Sequence, residues 1–383
     1  MKIVGIIAEY NPFHNGHLHQ LNRAKELSDA NYTVAVMSGS FVQRGEPAIC
    51  NKWARSKMAL SCGVDLVIEL PTVYCAQSAE YFATGGVRLL DSIGADYISF
   101  GAEDDKIANL KAAAEVLVNE SDEFRAFLAN SLKDGKSFPA AREEAASKFG
   151  VSSVLYSPNN ILAVEYIKAL LKSKSNIIPI PVKRIGCGHD KLGSASYIRN
   201  NMSKCDEYMP NIAHELLQQE INNKRAPVTF KSLDNGVMAH LRSIPINQLA
   251  EISGVAEGIE NRIKRAAIYH TTVEEVISCV KTRRYTYSRI RRIIINSLIG
   301  ITNAEITKPP EYIRILGLND RGREMLNKIK KTAKIPIITK VADANITQML
   351  TYDILATNLY SLMYPDTDQR KGNLDYINSP IIV

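Results

Sequence analysis

The 383-residue chain is long enough for one large or two medium domains, and its 45% hydrophobic content can build a substantial core. Charged residues at 23% without low-complexity tracts exclude a disordered protein, and no run approaches the roughly 20 apolar residues of a membrane helix. The formal charge of +7 permits a nucleic-acid partner without requiring one, and six cysteines with no CxxC pair suggest neither a disulfide framework nor a metal site.

Residues 2–8 form an apolar, β-branched run of strand length that breaks at Pro12. The start is a poor secretory signal, since Glu9 and Pro12 interrupt the apolar run, so a cytoplasmic protein is expected. His14, Asn15, Gly16 and His17 follow, and then Leu18, Leu21, Ala24 and Leu27 recur three apart, as on a helix face. Two histidines therefore sit where a buried strand turns into a helix N-terminus. There, backbone N–H groups and the helix dipole favour an anion, and Gly16 admits a phosphate close to the backbone. Either His14 and His17 donate to phosphate oxygens and stabilise charge as pyrophosphate leaves an α-phosphorus, or they are capping and surface residues. Zinc fits poorly: the HExxH glutamate and a third ligand at a recognisable spacing are both missing.

A second strand spans 32–37, a helix with basic residues follows at 51–61, and a third strand at 64–70 stops at Pro71. Residues 76–93 read as a helix interrupted at Gly85-Gly86, and a fourth strand at 96–100 stops at Gly101. This alternation implies βαβ units, a parallel sheet and a ligand site beyond the carboxyl ends of the strands. The loops at 9–16, 38–45, 71–77 and 101–104 all fall on that edge. In the second loop, Arg44 either binds a phosphate or carboxylate while Gln43 orients a small substrate, or the loop is simply solvated. Lys52 and Arg55, one turn apart, either face the same site or form a solvated face.

Residues 106–149 read as a helical insertion. Pro158 then marks a helix start at which Asn159 or Asn160 either bonds a ribose or adenine edge or caps the helix. A fifth strand at 177–185 carries two prolines and is expected at an edge or irregular. Ser194, Ser196 and Arg199 lead into a further helix, as donors for a triphosphate or as an ordinary cap.

Beyond residue 203 strand alternation fades. The stretch 281–292 holds six Lys or Arg in twelve positions, including Arg283, Arg284, Arg289, Arg291 and Arg292, with Tyr285 and Tyr287 between them. Arginines on phosphates with tyrosines stacked on unpaired bases is one reading; a solvated helix face is the other. Arg314, Arg321, Arg323, Lys328, Lys330, Lys331 and Lys334 add a second basic stretch. No RRM, KH or zinc-knuckle pattern and no internal repeat is evident.

The HxGH string resembles the signature of the nucleotidyltransferase superfamily, which includes class I aminoacyl-tRNA synthetases, though a KMSKS loop is not found here. The fuller string from Gly5 to His17 resembles the start of the bacterial tRNA(Met) cytidine acetate ligase family. Further landmarks of that resemblance are residues 38–45, 100–103, 157–162, 183–186, 194–199, 287–291 and 315–317. The family's SAT-x-IR element reads Ser-Ala-Ser-Tyr-Ile-Arg, which keeps the hydroxyl. The resemblance implies a Rossmann-like (HUP-type) parallel sheet in a catalytic domain at 1–203, with a helical insertion at about 105–155, and a mainly helical tRNA-binding domain at 204–383. It implies activation of acetate by ATP as acetyl-adenylate and transfer to the wobble cytidine N4 of elongator tRNA(Met), with Mg²⁺ accompanying ATP. It implies catalytic roles for His14, His17 and Arg199. ATP contacts are implied at Ile7, Ala8, Glu9, Tyr10, Asn11, Pro12, Phe13, His14, Asn15, Gly16, His17, Leu18, His19 and Gln20. Gly101, Asn160, Arg184, Ile185 and Ser196 complete that set, with Ser40, Gln43 and Arg44 as an acetate loop. The tRNA contacts implied are Arg283, Arg284, Arg289, Arg291 and Arg292. Two rivals are a small-molecule adenylyltransferase, against which the long basic helical half argues, and an RNA-binding protein with an inactive nucleotidyltransferase domain, against which intact His14, His17 and Arg199 argue.

Overall fold

The computed structural model describes residues 1–184 and 193–383; Ile185 and Cys187 lie outside the described residues. The opening apolar run is the strand Ile3–Ala8, and it lies in the middle of an eight-stranded sheet. It pairs in parallel with Tyr32–Ser38 on one side and Tyr97–Ala102 on the other. Leu66–Leu70 extends the sheet beyond the former and Ile178–Lys183 beyond the latter, both in parallel. Alternate side chains serve two cores: Ile3, Ile7, Val34 and Val36 pack on one face, and Val4, Ile6, Ala35 and Met37 on the other. Burial on both faces explains why these strands read as continuous apolar runs. The five parallel strands share one carboxyl edge, where the loops expected to carry the site are found.

Among the described residues the proline-bearing strand Ile178–Lys183 pairs only with Tyr97–Ala102 and forms the sheet edge, where a missing N–H costs nothing. The helix Ala79–Ser92 is continuous, contrary to the expected break at Gly85-Gly86. A β-carbon on Gly85 would strike Tyr74, and one on Gly86 would strike Ile7 of the central strand, so these glycines bring the helix close to the sheet. The insertion is three helices, Ile107–Asn119, Asp122–Lys133 and Phe138–Ser147, the first lying against Pro158–Ser173. No helix among the described residues is long and apolar enough to cross a membrane.

The chain after residue 204 does not form a single helical unit. Helices including Asp234–Ser243, Ile259–Tyr269, Val273–Val280 and Tyr287–Ile299 build their own apolar core. Ile313–Leu318 then returns to the sheet, antiparallel to Leu66–Leu70, and Ile337–Ile338 and Ile381–Ile382 pair with it. A buried charge cluster lies at this junction. Arg314 contacts Glu69 at 3.0 Å and Asp375 at 2.7 Å, and Lys52 contacts the same two carboxylates at 2.7 and 2.8 Å. Two cations and two anions removed from water together neutralise one another. Lys52 is therefore neither a site residue nor solvated, and Arg314 is not part of a basic surface.

Candidate active site

The opening turn is held by the two histidines themselves. His14 is the N-cap of the helix Asn15–Ser28, and its Nδ1 accepts the Gly16 N–H at 3.0 Å. The Nδ1 of His17 accepts the His14 N–H at 3.3 Å, a reciprocal capping box made of two imidazoles. The rings stack with centroids 3.8 Å apart. A β-carbon at Gly16 would lie 2.8 Å from Cε1 of His14, so glycine is required there by the ring folded over it. With both Nδ1 atoms accepting, the neutral rings carry their protons on Nε2. Burial, then the nearby Arg184 and Arg199 guanidinium groups, push His14 down to about 3. Burial, then His14 and Arg184, hold His17 well below its ordinary value. The pair is thus two fixed, uncharged N–H donors in a field already positive.

Other members of the opening run make contacts within the fold. Tyr10 and Phe13 are fully buried, and the Tyr10 ring packs 4.8 Å from Phe13 and 4.9 Å from His17. The buried Asn11 accepts the Ile49 N–H at 2.7 Å, and Gln20 donates to the Ser99 carbonyl at 3.2 Å. Pro12 is buried, whereas Asn15 is exposed at the helix start.

Arg199 lies on the short helix Ala195–Asn200, capped by Ser194. It reaches back to the opening turn, donating to the Asn11 carbonyl at 2.8 Å, with Ser196 Oγ 3.4 Å away. Arg184 follows the edge strand and lies over Gly101, where an added β-carbon would be 3.3 Å from its Cγ. Asn159 is 3.4 Å from Arg184 and donates to Glu103 at 2.6 Å, and Ser157 donates to the other oxygen of Glu103 at 2.6 Å. The buried Asn160 accepts the N–H groups of Glu103 and Asp104 at 2.9 and 3.1 Å. The helix cap is Ser157, and Asn160 shapes the loop after the strand Tyr97–Ala102. Glu103, absent from the expected site residues, is the hub of this cluster.

The loop at 38–45 is fixed from beneath by Arg55, which is fully buried. Its guanidinium donates to the carbonyls of Glu9 at 2.7 Å, Ser38 at 3.0 Å, Cys50 at 3.1 Å and Gly39. One cation thus ties the carboxyl ends of two central strands together. The Glu9 carboxylate accepts the Gln43 N–H at 2.9 Å, and burial raises its pKa above the usual carboxylate range. Arg44 lies close enough to Glu9 to oppose that rise. The hydroxyl of Ser40 is buried 3.3 Å from that of Thr357.

The basic segment divides in two. Arg283 and Arg284 are exposed in the turn before the helix Tyr287–Ile299. Arg289 pairs with Glu257 at 3.8 Å and donates to the Gly254 carbonyl at 3.1 Å. Arg291 contacts Glu46 and, at 3.4 Å, Glu274, and its guanidinium lies 4.5 Å from the Tyr287 ring centre. Burial lowers Arg292 to about 10. A β-carbon at Gly45, whose φ is +73°, would meet the backbone of Arg291 and Arg292, so this helix packs directly on the loop at 38–45.

A parallel sheet with a buried histidine pair capping the helix at its first strand-to-helix turn is the arrangement of a nucleotidyltransferase. The model of the HIGH Nucleotidyl Transferase family matches residues 1–375. The chain is 41% identical to the tRNA(Met) cytidine acetate ligase of Acetivibrio thermocellus and 44% identical to that of Thermoanaerobacter sp., in both cases over 100% of each chain. The crystal structure of apo Thermotoga maritima TmcAL, 38% identical, superimposes with a TM-score of 0.94 over 100% of both chains. The same enzyme bound with alpha-thio ATP gives 0.93. The chain belongs to the tRNA(Met) cytidine acetate ligase family.

Proposed function

We propose that this protein joins acetate to N4 of the wobble cytidine of elongator tRNA(Met) at the expense of ATP. The observation that carries the reading is the convergence of His14, His17, Arg184 and Arg199 on one point at the carboxyl edge of the sheet. In the first step an acetate oxygen attacks the α-phosphorus of ATP, and the bond to the bridging oxygen breaks. Acetyl-adenylate forms and pyrophosphate leaves. His14 and His17 donate through Nε2 to the phosphate oxygens that gain charge, while Arg199 and Ser196 hold the leaving phosphates. Acetate arrives ionised and needs no base; Gln43 and Arg44 are its binding residues. Gly101 gives the nucleoside close access beside Arg184, and Asn160 shapes that subsite. In the second step cytidine N4 attacks the acetyl carbonyl, AMP departs and the nitrogen loses a proton.

Mg²⁺ would accompany ATP, held mostly by the phosphates and water, and would neutralise phosphate charge. Glu9 and Glu46 already serve the Gln43 amide and two arginines, and no group of three His, Cys, Asp or Glu side chains among the described residues is placed to hold a metal. No protein ligand is assigned to the ion. The RNA docks on the helical body, through Arg283 and Arg284 at its exposed turn and Arg289, Arg291 and Arg292 nearer the cleft. This body takes the place of a helical domain covering all of 204–383. The reaction takes place in the cytoplasm.

The test is ATP–pyrophosphate exchange. Acetate-dependent exchange without tRNA is expected; exchange that appears only with a phosphorylated metabolite would replace this reading by a small-molecule adenylyltransferase.

A further inference from the structure

Between the phosphate-gripping arginine and the basic helix stands a single carboxylate. Glu46 lies in the two-residue strand Glu46–Pro47, which pairs with Phe41–Val42 at the end of the loop at 38–45. One of its oxygens is 3.5 Å from Nη2 of Arg199, and the other contacts Nη1 of Arg291. All three side chains are about three-quarters buried, so the charges are only partly screened. Arg199 is otherwise held by the neutral Asn11 carbonyl and the Ser196 hydroxyl, and among the described residues Glu46 is the carboxylate at ion-pair distance from it, with the buried Glu9 near enough to feel its charge. Arg291 has a second carboxylate, Glu274, but that side chain is 63% exposed and the weaker partner. The backbone adds a mechanical link, because Gly45 lies against Arg291 and Arg292 too closely to admit a β-carbon.

We propose that Glu46 is a positioning residue that sets Arg199 for the ATP phosphates and ties that setting to Arg291 on the helix Tyr287–Ile299. The proposal rests on the phosphate role given to Arg199 above. An RNA phosphate arriving at Arg291 meets Glu274 as its exposed competitor, while Glu46 keeps the inner face of the guanidinium. Contact on the helix is then felt at Arg199 through one shared carboxylate. Losing Glu46 has two opposite consequences for ATP. Removing a negative charge beside a triphosphate favours binding. Freeing Arg199 to rotate, with the Arg291 guanidinium facing it and held only by the exposed Glu274, opposes binding, and here the second effect outweighs the first.

The test uses the full-length chain with Glu46→Gln, Arg291→Gln and the double variant. ATP affinity is measured by titration calorimetry, and KM for ATP and kcat by acetate-dependent exchange, with thermal midpoints recorded for each variant. Glu46→Gln is expected to weaken ATP binding and raise KM about fivefold, the scale of one partly screened ion pair of about 1 kcal/mol, with a smaller change in kcat. Arg291→Gln is expected to weaken ATP about threefold in the wild-type background and to add nothing to Glu46→Gln. Unchanged or tighter ATP binding in Glu46→Gln, or full additivity in the double variant, overturns the proposal, as does a loss of exchange accounted for by a collapse of the thermal midpoint. If the wild type shows no acetate-dependent exchange but binds ATP, the reading of the reaction fails, whereas the calorimetric cycle still decides the role of Glu46.

Discussion

The opening turn and the basic segment at 281–292 reach the same edge of the sheet, but they are held in different ways. In the turn, His14 and His17 are fixed by bonds to their own backbone, and burial keeps them neutral. In the basic segment, Arg289 and Arg291 are held by carboxylates from elsewhere in the chain: Glu257, Glu274 and Glu46. The first arrangement is complete before any ligand binds, which suits stabilisation of a transition state. The second consists of ion pairs that a polyanion can exchange, which suits docking of a large, charged partner.

The contrast is sharpest at His17. His17→Ala is expected to lower acetate-dependent exchange by about 10²–10³-fold, the usual cost of one preorganised donor, while tRNA binding persists. Exchange within a few-fold of wild type would remove the turn from the chemistry. The next effect belongs to the support under the turn. Arg55→Met leaves the carbonyls of Glu9, Ser38 and Gly39 without their buried donor. It is expected to cost about 3 kcal/mol in chemical denaturation; a loss under 1 kcal/mol would mean the loops are held elsewhere. On the docking side, Arg283→Gln with Arg284→Gln is expected to weaken tRNA binding several-fold and to lower the slope of log K against log salt by about one to two, with exchange unaffected. A salt slope equal to that of wild type would place the RNA on another surface.

A further effect is on stability against pH. The folded pKa of His14 lies near 3 and the unfolded value near 6.5, so below pH ~6.5 the unfolded chain binds a proton that the folded chain does not. The stability contributed by the neutral ring is complete above about pH 6.5 and declines as pH falls toward 3. His14→Asn keeps a capping side chain and should flatten this part of the decline, measured as denaturant midpoints at pH 7.5 and 5. An equal decline in the variant would mean that other groups cause it.

The parallel sheet was legible because its strands are apolar and short, with Pro12 or Pro71 beyond their ends, and because helices alternate with them, although the strand expected to stop at Gly101 runs on through it to Ala102. Ile313–Leu318 was not, since Arg314 interrupts the pattern, and the partners that let it be buried, Glu69 and Asp375, are remote in sequence. Gly85-Gly86 misled for a related reason: a glycine pair marks either a helix break or a close approach to a neighbour, and only the packing of Tyr74 and Ile7 decides which. In the site, the histidine pair announced itself by spacing and position. Glu46 carried no local signal, Glu103 stood only at the end of a landmark and Arg55 only as a cation facing the site or solvent, because each acts by joining segments that the fold brings together. Ser40 lay in the right loop, but its hydroxyl is buried against Thr357, which is remote in sequence.

The most direct test of the account is mass spectrometry of elongator tRNA(Met) after incubation with the enzyme, ATP and isotopically labelled acetate. The account predicts one labelled acetyl group, on N4 of the wobble cytidine, with AMP and pyrophosphate formed and no label without ATP. An unlabelled acetyl group, or label at another nucleotide, would contradict it.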